Sequence, residues 1–161
     1  MNFNSIVPWL PVVAVLLHVI EEFAWPGGFA DWYRWYAPDR AASITTPWLV
    51  GINALYVAMA VFAGALFPRP YGVAFWLVVA SIAAANAIFH LRATIRMRTY
   101  SPGVVTGLLF YLPLAVYGFY SFSIHGLASW STVLQAAAIG PAFHFYSAYR
   151  HRRRVAALKS T

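Results

Sequence analysis

The chain has no cysteine, so disulfides, thiolate metal sites and a cysteine nucleophile are all excluded. It is also poor in charge. Only 9% of its 161 residues are Asp, Glu, Lys or Arg, against about 25% in a soluble domain. Acidic residues are scarcer still, four in all. A chain so short of charge cannot cover a water-facing surface. Lys and Arg are missing from Met1 to Ser5, and no A-x-A-like site follows the first apolar stretch. A cleaved signal peptide is therefore not expected, and that stretch is read as a retained helix. Internal repeats and low-complexity linkers are absent too, which leaves a single domain over 1–161.

What remains is apolar. Hydrophobic residues make up 61% of the chain and aromatics 18%, with a mean hydropathy of +0.65. A helix needs about 20 mostly apolar residues to cross a bilayer. Five stretches reach or approach that length: about 6–24, 47–67, 71–91, 103–122 and 131–149. Pro47 and Pro102 stand where helices start, and Trp25-Pro26-Gly27-Gly28 and Pro68-Arg69-Pro70 where they stop. The segment at about 29–37 mixes Trp32, Tyr33, Trp35 and Tyr36 with Asp31 and Arg34. It is too short and polar to span, and is expected to lie in the membrane interface. The expected fold is all-α: a polytopic membrane helix bundle of about five transmembrane helices plus this short interfacial helix.

The net charge of +7 is not spread as on a nucleic-acid-binding surface, and no nucleic-acid partner is expected. With the C-terminus inside, the segments 25–46 and 92–102 and the tail hold Arg34, Arg40, Arg92, Arg96, Arg98, Arg150, Arg152, Arg153, Arg154 and Lys159. The outer segments hold only Arg69. Ten basic residues against one predicts an inner-membrane protein with its N-terminus outside and its C-terminus in the cytoplasm.

Ionisable residues inside spans are expensive and by default functional. In this topology His18, Glu21 and Glu22 fall at the inner end of the first span, Asn86 and His90 at that of the third, and His144 near that of the fifth. Asn53 and Thr106 fall at the starts of the second and fourth. All lie in the cytoplasmic third. His18 stands i,i+4 from Glu22 and i,i+3 from Glu21, and Asn86 stands i,i+4 from His90, so each set shares a helix face. Imidazoles and carboxylates converging in a bundle core suit zinc, iron or manganese, as one or two ions. The expected ligands are His18, His90 and His144 with Glu21 or Glu22, the other glutamate serving as general base, bridging ligand or outer support. Asn53, Asn86 and Thr106 are supporting residues, each with a plainer use in helix packing or in bonding its own backbone. His125 and His151 are assigned to solvent.

Glu21 and Glu22 are also adjacent like charges at a helix C-terminus, where the macrodipole disfavours anions. A cation would relieve both costs, and Arg92 or Arg96 could serve as well as a metal.

The run His18-Val19-Ile20-Glu21-Glu22 in a first apolar helix resembles the motif of the HXXEE family of small bacterial membrane proteins. Asn86-Ala87-Ile88-Phe89-His90 and Tyr100-Ser101-Pro102-Gly103 with Thr106 are similar to its later features. The resemblance covers roughly the first two-thirds of the chain. It implies that His18, Glu21, Glu22, Asn86, His90 and Thr106 act together, and it supplies no substrate.

Three functions follow as expectations. The first is a metal-dependent membrane enzyme, a hydrolase or a non-haem oxidase or oxygenase, acting on a lipid-like or small amphiphilic substrate. The second is a proton-coupled transporter or channel with Glu21, Glu22 and the histidines as a relay. The third is a non-catalytic module with structural Glu–Arg and His–Asn pairs. Membrane lipid is the expected surrounding partner, and an oligomer is compatible with all three.

Overall fold

The computed structural model describes residues 6–160. The Met1–Ser5 part of the signal-peptide argument lies outside them. The described residues contain helices and no strand. We label them α1 (Leu10–Phe23), α2 (Phe29–Tyr36), α3 (Thr46–Leu66), α4 (Pro70–Met97), α5 (Val104–Ile124) and α6 (Trp130–Leu158). A short 3-10 turn, Val7–Trp9, leads into α1. Helices α3, α4 and α5 are long and apolar enough to cross a membrane.

The helix boundaries follow local chemistry. Pro8 and Pro11 sit in the first turns of the entrance to α1, where a missing N–H costs nothing. The helix closes when the Gly27 N–H reaches back to the Glu21 carbonyl, with Gly27 and Gly28 both at positive φ. Helix α3 begins with the Thr45 hydroxyl accepting from the Trp48 N–H, and Pro47 follows in its first turn. Ser129 caps α6 in the same way through the Thr132 N–H.

Helices α4 and α6 run past the spans read from the sequence, to Met97 and Leu158 instead of 91 and 149. Arginine stops a hydrophobic run but not a helix, because its propensity is close to alanine's. At the other end, α1 is only 14 residues long, about 21 Å of rise. That falls short of a hydrocarbon core of about 30 Å.

Helix α4 is the centre of the bundle. Val73, Trp76, Leu77, Val79, Ala80, Ala87, His90 and Ala93 on it are fully buried. Its many alanines let neighbouring backbones approach closely, as bundles in lipid require. The contact with α6 shows how. Pro141 lacks the N–H that would bind the Ala137 carbonyl. Ser81 on α4 supplies the missing donor, its hydroxyl bonding that carbonyl at 3.1 Å while accepting the Gly140 N–H at 3.1 Å. A Cβ on Gly140 would stand 2.2 Å from the Ser81 carbonyl oxygen.

In α5 the turn Gly107–Tyr111 is π-helical, just before Pro113. The Leu112 N–H bonds the Gly107 carbonyl, five residues back. Such wide turns relieve the clash between a proline ring and the preceding turn.

Gly140→Ala should therefore lower unfolding stability by about 1–3 kcal/mol, the usual cost of overpacking. Gly51 in α3 has nothing within 4 Å of a would-be Cβ. Gly51→Ala should be neutral or stabilise by up to about 1 kcal/mol through helix propensity. Thermal unfolding of both variants in detergent checks the pair; equal losses would contradict the close α4–α6 contact.

Candidate metal centre

The inner ends of α1 and α4 and the start of α5 meet in a buried polar cluster. One turn of α1 brings His18 and Glu22 onto one face. Glu22 Oε1 lies 3.4 Å from His18 Nε2 and 3.2 Å from His90 Nε2. His18, Glu22 and His90 are all buried, and one ligand atom from each lies within 4.8 Å of the others. Two ligands each about 2.0–2.1 Å from a tetrahedral ion stand about 3.3 Å apart. The two N···O separations match that edge.

The outer nitrogens of both imidazoles are held by hydroxyls. His18 Nδ1 is 2.8 Å from Thr106 Oγ1, and His90 Nδ1 is 2.8 Å from Ser101 Oγ. The proton on the Thr106 hydroxyl goes to the Glu21 carboxylate, which can only accept. Thr106 Oγ1 must then accept from His18 Nδ1–H. This assigns the tautomer: His18 Nε2 carries a lone pair facing Glu22. The Asn86 side-chain N–H donates to that lone pair at 2.9 Å. His90 Nε2 makes no hydrogen bond among the described residues, because its approach to Glu22 lacks the geometry of one. A carboxylate oxygen and two imidazole nitrogens thus converge in one buried space.

Glu21 is not part of this trio. It points to the start of α5, where its carboxylate accepts the backbone N–H groups of Val105 at 3.0 Å and Thr106 at 2.6 Å. It also accepts from the Thr106 hydroxyl and, at 2.5 Å, from the Tyr100 phenol. The strain expected for an anion at the end of α1 is thus relieved by the N-terminus of another helix. Among the described residues neither glutamate forms an ion pair with Arg92 or Arg96. Burial first, and then its bond to Glu21 and that carboxylate's charge, push the Tyr100 phenol above its usual range. It stays a donor at any ordinary pH.

The structure brings His18, Glu22, His90, Asn86, Thr106 and Glu21 into one network. His144 and Asn53 do not join it. Ser81 and Gly140 set the register of α4 and α6. Counted from there, His90 is nine residues on and His144 only four, and His144 is not in the cluster of ligand atoms. His144 Nε2 is buried without a hydrogen-bond partner among the described residues. Asn53 donates to the Leu49 carbonyl of its own helix at 2.9 Å. Thr106, which had a plain use in bonding its own turn, spends its hydroxyl on Glu21 and His18. His151 is not solvated: it is 3% exposed, with Nδ1 on the Ser43 hydroxyl at 2.8 Å. His125 is exposed, as expected.

Three residues of the centre were not singled out as site residues from sequence. Ser101 is the partner of His90. Tyr111 lies against the His18 ring, with centroids 4.4 Å apart. Gly103, at φ +100°, leaves room for both imidazoles, since a Cβ there would stand 2.7 Å from His18 Cε1 and 3.0 Å from His90 Cε1. The Tyr100-Ser101-Pro102-Gly103 run was the available signal.

Glu21→Gln should cost about 2–3 kcal/mol of stability, as one charged acceptor serving several donors is lost. Tyr100→Phe should cost about 1 kcal/mol, its donor sitting nearer the surface. Arg92→Gln should change little, within about 0.5 kcal/mol. Unfolding of the three variants in detergent ranks them; a loss from Arg92→Gln equal to that from Glu21→Gln would mean an arginine holds the carboxylate.

No solved structure matches the chain. A curated relative, uncharacterized protein YrkK of Bacillus subtilis (strain 168), is 28% identical over 132 residues, covering 75% of this chain and 77% of its own. Residues 9–118 match the family described as a protein of unknown function with HXXEE motif, a span that takes in every residue of the network above. The chain is therefore a member of the HXXEE family.

Proposed function

We propose that the chain is a multi-pass inner-membrane metalloenzyme that holds one divalent transition-metal ion between His18, Glu22 and His90. The observation that carries this reading is the convergence of His18 Nε2 and the unpaired His90 Nε2 on Glu22 Oε1. Both Nδ1 atoms are tied to hydroxyls, so both Nε2 atoms face the Glu22 carboxylate at ligand-to-ligand spacing. Two imidazoles and one carboxylate are the donor set of catalytic zinc sites and of non-haem iron sites. Three protein ligands leave positions open, where a bound ion lowers the pKa of water and polarises a substrate oxygen. The nature of the ion divides hydrolysis from oxidation.

The chain's own residues take distinct parts. Glu22 supplies the charge that makes the site attractive to a cation. Thr106 and Ser101 orient the two imidazoles, and Glu21 orients Thr106. Asn86 holds the His18 lone pair, which an ion bound there would take in its place. Orientation follows the charge count: the basic segments lie at the site's end of the bundle, which we assign to the cytoplasm. An amphiphile in that leaflet is the substrate class such a depth suits.

The relay reading is less well supported. On the outward side Trp76 and Phe122 pack at 4.9 Å, and both are fully buried, as is Tyr111. Phe122 has no group that could pass a proton there. The purely structural reading needed Glu–Arg and His–Asn pairs; Asn86 does bond His18, but the glutamates have partners other than arginine.

Detergent-purified protein should carry near-stoichiometric zinc, iron or manganese by elemental analysis. His18→Ala, His90→Ala and Glu22→Gln should lose it, while His144→Ala keeps it. Thr106→Val should weaken metal affinity about 10–100-fold, the usual effect of removing a hydrogen bond behind a histidine ligand. Metal-free protein from every preparation, with folded variants, would overturn the proposal.

A further inference from the structure

The centre has no opening of its own: His18 is 2% exposed, Glu22 4% and His90 0%. Over His90 lies α2. The Phe29 and Trp32 rings stand 5.7 and 6.1 Å from its imidazole, the indole nearly parallel at 28°. Phe89 wedges against Trp32, Tyr33 and Tyr36 from below. Yet no residue of α2 is fully buried. The helix rests on the bundle by its aromatic edges and is joined to α1 through Gly27 and Gly28, both at positive φ. Nothing lies within 4 Å of a Cβ built on Gly28. Few buried contacts and a glycine joint are what a locally opening segment has.

Around this contact the hydrogen bonding is incomplete. Trp32 Nε1, His90 Nε2 and Thr94 Oγ1 are buried without partners among the described residues. A buried polar atom left without a partner is costly. Thr94 is one turn beyond His90 on the same face of α4. His90 Nε2 is a ligand in the reading above; Trp32 and Thr94 are not explained by it. An indole N–H can only donate. Whatever meets it must present an acceptor, among apolar rings, at the level of the membrane interface where Trp and Tyr gather.

Resting on the metal-site reading, we infer that the contact face between α2 and α4 becomes the substrate's head-group subsite when α2 lifts. The substrate is an uncharged-headed acyl amphiphile whose carbonyl oxygen accepts from Trp32 Nε1. It is admitted from the leaflet by tilting of α2 about Gly27 and Gly28. Thr94 Oγ1 serves the second polar atom of the head, and the rings of Phe29, Tyr36 and Phe89 flank the start of the chain.

The test uses the full chain in phosphatidylcholine nanodiscs, with two probes of equal chain length: a fatty primary amide, and an alkyltrimethylammonium that has no acceptor. Because the sequence has no cysteine, Thr94→Cys carries the sole thiol. Maleimide should label it far more slowly than the exposed Thr99→Cys. The amide should slow it further and the ammonium should not. Trp32→Phe should weaken the amide's effect about tenfold, the worth of one hydrogen bond of about 1.4 kcal/mol. Hydrogen–deuterium exchange of residues 29–36 in the unsubstituted chain gives the same comparison without the new thiol. Equal protection by both probes, or none by either, overturns the subsite. Metal content measured on the same samples separates the two readings: metal bound without amide protection removes only this inference, and metal-free protein removes both.

Discussion

The network turns on one electrostatic contact, the Glu21 carboxylate on the N-terminus of α5. A helix start leaves N–H groups unbonded and carries partial positive charge, and a carboxylate in a poorly solvated bundle needs donors. Each solves the other's problem. The contact also joins residues 84 and 85 positions apart, tying α1 to α5 directly. From there the order propagates outward. Glu21 fixes Thr106, Thr106 fixes the His18 ring and its proton, and His18 faces Glu22 and His90.

Adjacent glutamates on a helix point about 100° apart, so they cannot share one task. Glu22 lies on the His18 side and turns into the bundle toward His90. Glu21 turns toward α5. The motif therefore encodes two different uses of the same side chain, one facing two imidazoles and one for a helix end. The spacing of three residues between His18 and Glu21 lets a single hydroxyl, that of Thr106, touch both.

Much of this was legible before the structure. The all-helical fold, a short helix at 29–36 and, within the larger expected ligand set, the meeting of His18, Glu22 and His90 follow from hydropathy and i,i+4 spacing. What escaped has physical causes. The partners of Glu21 are backbone N–H groups, which leave no mark in residue identity. His144 was placed by depth alone, and depth says nothing of register between two helices or of which way a side chain faces. His151 looked solvated among arginines because a hydrophobicity count cannot see α6 continuing as a helix and docking on the loop that carries Ser43. Ser101 and Gly103 sat in what read as a plain turn. Their value there lies in a hydroxyl and in an absent Cβ.

The π-helical turn at Gly107–Tyr111 has a bearing on how this architecture tolerates change. An extra residue in one turn advances every later side chain by about a quarter of a revolution relative to a regular helix. Below the turn, α5 presents Thr106 to the metal centre; above it, Gly118 faces Trp76, where a Cβ would stand 2.1 Å from the ring. The two halves of α5 are thus phased independently, and the wide turn is the offset between them. Length in this stretch is more constrained than composition: an exchange of one apolar residue for another keeps both faces, whereas loss of one residue would straighten the helix and aim one half at the wrong neighbour.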